Sequence, residues 1–79
     1  MQYHIYKYSH AEVYVLMKHP EDEGSLNSTR HAYKIGGKWF SVAAANKATN
    51  HMPRELWGSI VNRGKISDDE AMAILLMCA

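Results

Sequence analysis

Gly36-Gly37 stands between the apolar-rich flanks HAYKI and KWF, and no other feature constrains the fold as much. A two-residue turn between antiparallel strands needs positive φ at both central positions, which glycine adopts without steric penalty. HAYKIGGKWF therefore reads as a β-hairpin, and one antiparallel pair commits the chain to a sheet. The stretch QYHIYKYSHAEVYVLMK, residues 2 to 18, supplies more strand. It is dense in Tyr, Val and Ile and lacks Gly, and His4, Tyr6 and Tyr8 alternate against Tyr3, Ile5 and Lys7. A second hairpin turning near Ser9 and His10 is expected. The competing reading is a helix over 10 to 19, with Ser9 and Glu12 at capping-box spacing and Val13, Leu16 and Met17 on one face. The Val13-Tyr14-Val15 run favours the strand. Between the hairpins, PEDEGSLNST, residues 20 to 29, has the composition of a solvated loop. Its Asn27-Ser28-Thr29 has the form of a glycosylation sequon, which carries little meaning without an export signal.

After Phe40 the pattern turns helical. Ser41 is placed to cap VAAANKATN, and Asn50-His51-Met52 before Pro53 ends that helix, because a residue preceding proline avoids the α region. A second helix is expected over about 53 to 63, pairing Leu56 with Ile60 and Trp57 with Val61 at i,i+4, with Gly64 as its C-terminal cap. Ser67 and Glu70 form a capping box for a third, and Asp68 and Asp69 suit the positive end of its dipole. The expected architecture is α+β. A single domain over 1–79 has a small antiparallel β-sheet in its β-rich part, 2–41, packed against three C-terminal α-helices in its helical part, 42–79.

A chain of 79 residues buries only about 60% of the surface its unfolded form exposes, so a partner subunit would stabilise it usefully. Disulfides offer no such support. Cys78 is the only cysteine, which excludes a disulfide framework and a Cys-rich zinc site and fits a reducing, cytoplasmic setting. The longest apolar run, Ala71 to Ala79, is far short of the roughly 20 residues a bilayer demands, so no membrane partner is expected. Met72, Ile74, Leu75, Leu76 and Met77 cannot all face so small a core, which assigns Met72, Leu75 and Leu76 to a homodimer or partner interface. Trp39, Phe40 and Trp57 read as core.

Charge is segregated. The net of +1 conceals a basic belt over residues 30 to 66, where Arg30, Lys34, Lys38, Lys47, Arg54, Arg63 and Lys65 face Glu55 alone. Several cations in one region are what a polyphosphate ligand requires. Catalytic and metal signals are absent. His4, His10, His19, His31 and His51 form no H-E-x-x-H helix and Cys78 is remote from them, so neither metal nor cofactor is expected. No nucleophile stands in a recognisable setting and no enzyme is expected. The Glu21-Asp22-Glu23 run reads as solvated loop.

SVAAANKATNHMPRELWGSIVNRGKISDDEAMAIL, with the GGKWFS before it, resembles the helix-turn-helix of small phage regulators of the Cro type and excisionase-like domains. The resemblance spans residues 37 to 76, and its most specific stretch is I-V-N-R-G-K-I-S-x-x-x-A-x-x-I, from Ile60 to Ile74. It implies a DNA-binding regulator in which Pro53 to Arg63 is the recognition helix in the major groove of double-stranded DNA. Arg54 and Glu55 would then read bases, and Lys47, Arg63 and Lys65, with Lys38 on the preceding hairpin, would contact phosphates. Gly58 departs from the pattern by standing inside the reading helix. The other class open to the chain is a protein-binding module. Its small size, lack of an active-site motif and tyrosine-rich strands are similar to phage or plasmid inhibitors of host complexes, anti-CRISPR proteins among them.

Overall fold

A computed structural model describes residues 2–19, 29–49 and 53–78. The expectations for the loop at 20–28, its acidic run and the helix stop at 50–52 lie outside the described residues. Strand β1 (Gln2–Tyr8) pairs antiparallel with β2 (Val13–His19), with Ile5 opposite Leu16 and Tyr6 opposite Val15. The helix considered over 10 to 19 does not form. Val15 and Leu16 are both fully buried and point to opposite faces, a demand that consecutive residues meet in a strand and not in a one-sided helix. Strands β3 (Thr29–Ile35) and β4 (Lys38–Ser41) form the expected glycine hairpin. Ile35 pairs with Lys38, and Gly36 and Gly37 hold φ of 61° and 80°.

Helix α1 (Val42–Ala48) starts as anticipated, with the Ala44 N–H donating to Ser41 Oγ at 3.3 Å. The last helix, α2 (Asp68–Met77), is capped by Ser67, whose Oγ accepts from the Glu70 N–H at 3.1 Å and lies 3.4 Å from Glu70 Oε1. The helix expected over 53 to 63 is replaced by a short 3-10 helix, Arg54–Trp57, and a fifth strand, β5 (Ile60–Ile66). Two causes are visible. Gly58 lies at φ 82°, ψ −160°, which stops any helix there. The backbone on either side is tied to the β1–β2 turn, His10 N–H donating to Trp57 O at 2.9 Å and Ser9 N–H to Ser59 O at 2.8 Å. The chain is thereby delivered to the free edge of β1, where six of the seven β5 residues find ladder partners. Gly64, expected as a helix cap, sits inside β5 at φ 132°.

The sheet order is β4-β3-β2-β1-β5, antiparallel throughout. The architecture is α+β with two helices, not three, and with the sheet reaching beyond residue 41. Each face has its own apolar cluster. Val13, Val15, Met17 and Tyr33 pack against Ala45 of α1 and Trp57, while Tyr3, Leu16 and Ala32 pack against Ala71, Ile74 and Leu75 of α2. We call these the α1 face and the α2 face. β2, in the centre of the sheet, is buried on both, which explains its continuous apolar run where alternation would mark an exposed side. Among the described residues, no helix is long and apolar enough to cross a membrane.

Candidate functional site

Because α1 packs over β3 and β4, the α1 face of β1, β2 and β5 carries a set of polar side chains toward the end of the sheet where β1 begins. Register decides which ones. His4 lies opposite Met17, and His19 opposite Gln2, so antiparallel pairing sets the two imidazoles diagonally on one face. Their rings meet edge to face with centroids 4.8 Å apart.

Two β-bulges complete the set. Regular alternation from Ala32, which faces α2, would turn Arg30 toward α2 as well, but β3 shifts register after Leu16 and pairs Arg30 with Met17 on the α1 face. β5 behaves alike. Asn62 pairs with Tyr6, Gly64 with Ile5 and Lys65 with His4, leaving Arg63 as the extra residue and setting Lys65 beside the histidines. The resulting row across four strands is Lys65, His4, Met17, Arg30. Met17 is 6% exposed and floors the site.

Hydrogen bonds hold the side chains in place. Tyr6 Oη lies 2.8 Å from His19 Nε2, and the Tyr6 ring stacks on the same imidazole with a 25° interplanar angle. Asn62 Nδ2 lies 3.2 Å from His4 Nδ1 and 3.5 Å from Tyr6 Oη, and Gln2 Oε1 is 3.4 Å from His4 Nε2. Arg30 Nη1 donates to Tyr33 Oη at 2.9 Å and to Tyr8 Oη at 3.1 Å. The Tyr33 hydroxyl bond outweighs partial burial and raises the Arg30 pKa further above its ordinary value, so this cation is permanent. His19 is pushed below its ordinary value, first by burial and then by repulsion from His4.

Tyr33 joins this row to Arg54. The Arg54 guanidinium lies over the Tyr33 ring at 5.9 Å and over Trp57 at 5.4 Å, and Trp57 meets Tyr8 edge to face at 5.0 Å. Arg54 Nη2 donates to Asn46 Oδ1 at 2.6 Å and to Thr49 Oγ1 at 3.1 Å, and the buried Thr49 hydroxyl donates in turn to Ala45 O. Among the described residues, no carboxylate is hydrogen-bonded to this surface. The Lys7–Glu12 ion pair at 3.4 Å belongs to a lysine that shares strand parity with Tyr3 and Ile5 on the α2 face, its ammonium 5.9 Å from the Tyr14 ring centroid.

The residues expected to meet DNA are thus redistributed. Pro53 to Arg63 offers no recognition helix, since this segment leaves a 3-10 turn for an edge strand. Arg54 enters the aromatic network, and Lys65 joins the histidine row. Arg63 occupies the β5 bulge, Lys47 and Glu55 are exposed on α1 and the 3-10 helix, and Lys38 lies over the Phe40 ring at 5.5 Å near the hairpin turn. On α2, Met72 and Leu76 are exposed as expected, at 52% and 85%, together with Met77. Leu75 is half-buried, packing in part against Leu16 and Ala32 on the sheet. Burial raises the Cys78 thiol pKa, so it stays protonated.

Sequence reading passed over His4, His19, Tyr6, Asn62 and Arg30 as a group. One signal was present: a hairpin turning near residues 9 to 12 with an even number of loop residues, as here, puts His4 and His19 on the same face. Among the described residues, no group of three or more His, Cys, Asp or Glu is placed to hold a metal ion. Fold and site together define an antiparallel sheet protein, helix-covered on each face, that displays a cationic and aromatic surface beside α1. Comparison of the chain with known protein families, with curated proteins and with solved structures finds no match in any of the three.

Proposed function

We propose that this chain is a small nucleic-acid-binding regulator that takes a single strand of DNA or RNA across the α1 face of its sheet and works in the cytoplasm. The observation that carries the reading is the pair of bulges. Each turns a cation, Arg30 or Lys65, to the face that carries the stacked Tyr6–His19 pair, and the β5 bulge delivers Ile66 to the opposite cluster by the same step. Fixed cations track a phosphate backbone, and aromatic faces accept bases of any identity, each stack being worth about 1–3 kcal/mol by alanine substitution. A flat sheet face suits splayed single-strand bases, whereas reading a duplex calls for an element that enters a groove.

The test is fluorescence anisotropy with single-stranded and duplex oligonucleotides of mixed sequence. Two phosphate contacts, by Arg30 and Lys65, predict affinity falling about sevenfold between about 50 and 200 mM salt. The Arg30→Ala, Lys65→Ala double variant is expected to bind weakly and to show a shallower salt slope. Equal binding by wild type and double variant would remove the reading, and a preference for duplex would return the argument to groove recognition.

One observation favours a second reading, a protein-binding inhibitor of a host complex. Met72, Leu76 and Met77 expose a contiguous apolar strip on α2, which is suited to a protein partner or a second copy. A homodimer through this strip is expected to revert to monomer in light scattering when Met72 and Leu76 are replaced by Lys. A wild type already monomeric at tens of micromolar would exclude the homodimer.

A further inference from the structure

We propose that His4 and His19 form a metal-independent acid–base pair that cleaves an RNA strand lying on the α1 face, transferring the phosphodiester to the neighbouring 2′-hydroxyl. The inference rests on the nucleic-acid reading of the same face and goes against the expectation, drawn from the lack of any motif, that the chain has no enzymatic role. General acid–base chemistry on a phosphodiester asks for one group that accepts a proton, one that donates, and cations where charge accumulates. Two imidazoles in contact supply the first two. A second proton on the pair is opposed by the first, so over the range where the pair holds one proton it contains one base and one acid.

The surroundings distinguish the two rings. His19 is held toward the neutral form by burial and by His4. With its Nε2–H donating to Tyr6 Oη at 2.8 Å, Nδ1 carries the lone pair that takes a proton. His4 Nε2–H faces Gln2 Oε1 at 3.4 Å, a weak bond that a departing oxygen can replace, and protonation of Nδ1 to form the imidazolium displaces the Asn62 Nδ2–H that it accepts at 3.2 Å. His19 Nδ1 removes the proton of the 2′-hydroxyl, and the 2′-oxygen attacks phosphorus. The bond from phosphorus to the 5′-oxygen breaks as imidazolium His4 gives that oxygen its proton. One product ends in a 2′,3′-cyclic phosphate and the other begins with a 5′-hydroxyl; His19 leaves as imidazolium and His4 as imidazole, and solvent restores both. Neither oxidant, metal nor water is consumed. By strand register Arg30, whose Nη1 donates to Tyr33 and Tyr8, lies diagonal to His19 on β3, and Lys65 lies opposite His4 on β5, so a cation borders the pair on either side.

The experiment uses the full chain with a 5′-labelled single-stranded RNA in EDTA, beside the same oligonucleotide carrying one 2′-deoxy position. Wild type is expected to yield the cyclic-phosphate end with a bell-shaped pH dependence. The His4→Gln and His19→Gln variants, purified in parallel and assayed at saturating RNA, are expected to lose about a hundredfold or more in rate while unfolding near the wild-type temperature. The 2′-deoxy position is expected to be bound and left uncut, a check that holds even if a histidine variant fails to fold. RNA that binds wild type but is cut no faster than by the double histidine variant, or cutting at the 2′-deoxy position, would overturn the proposal and leave the binding reading in place. RNA that does not bind would overturn the cleavage proposal, and single-stranded DNA that does not bind either would overturn the binding reading with it.

Discussion

Gly58 is the residue on which the course of the chain turns. At φ 82° it occupies a conformation that L side chains rarely adopt, and a Cβ there would run into the His10 ring and Ser9 Oγ. Ser9 Oγ also accepts from the Ser59 N–H at 3.0 Å, so the clash cannot be relieved without loosening the entry to β5. Gly58→Ala is expected to cost about 2 kcal/mol or more in urea unfolding, from positive-φ strain plus displacement of the turn. Gly37→Ala, where φ is 80° but the added carbon meets open space, is expected to cost only the backbone penalty, about 1–2 kcal/mol. His19 makes stability depend on pH with a definite sign. Its pKa is lower in the folded chain than its ordinary 6.5, so the unfolded chain binds the extra proton first. The contribution is complete above about pH 6.5 and is lost as pH falls from there toward the folded value. Thermal unfolding between pH 5 and 8 is expected to show this slope in the wild type and a flatter one in His19→Gln.

At the scale of elements, α2 divides its apolar residues between two tasks that hydrophobicity alone does not separate. Leu75 reaches the cluster of Leu16 and Ala32, while Leu76, one position on, is 85% exposed. Leu75→Ala is therefore expected to destabilise by about 1–3 kcal/mol, and Leu76→Ser to stay within about 0.5 kcal/mol of wild type, as read by equilibrium unfolding. The capping box of α2 is expected to be worth about 1 kcal/mol, lost in Ser67→Ala. β5 is the contrasting case. IVNRGKI has an apolar residue at each end, three polar residues and a glycine, and only Ile60 and Ile66 reach the two clusters. A segment so weakly patterned takes its conformation from its neighbour, and the open edge of β1 supplies every ladder bond it lacks in isolation. Its i,i+4 pairs, Leu56 with Ile60 and Trp57 with Val61, imitate a helix, yet Leu56 and Val61 are exposed and never share a buried stripe.

For the whole molecule, charge is meaningful only once folded. The basic belt of residues 30 to 66 does not become one patch: Lys34 lies over Tyr14, Lys38 over Phe40 and Arg54 over Tyr33 and Trp57. What gathers instead is a mixed row of Lys65, His4 and Arg30, drawn from three strands. Local chemistry written in the sequence determined both hairpins, the glycine turn and the Ser41 and Ser67 caps. Each of these depends on neighbours a few residues apart. Tertiary structure alone decided that residues 60–66 form an edge strand, that Leu75 packs on the sheet and Leu76 does not, and that Arg30 and Lys65 share the face of the histidines. The physical reason is common to all three. A strand's pairing, a helix's roll against a sheet and the position of a bulge are set by the partner that satisfies the backbone and by the core that closes over it, and that partner lies far away in the chain.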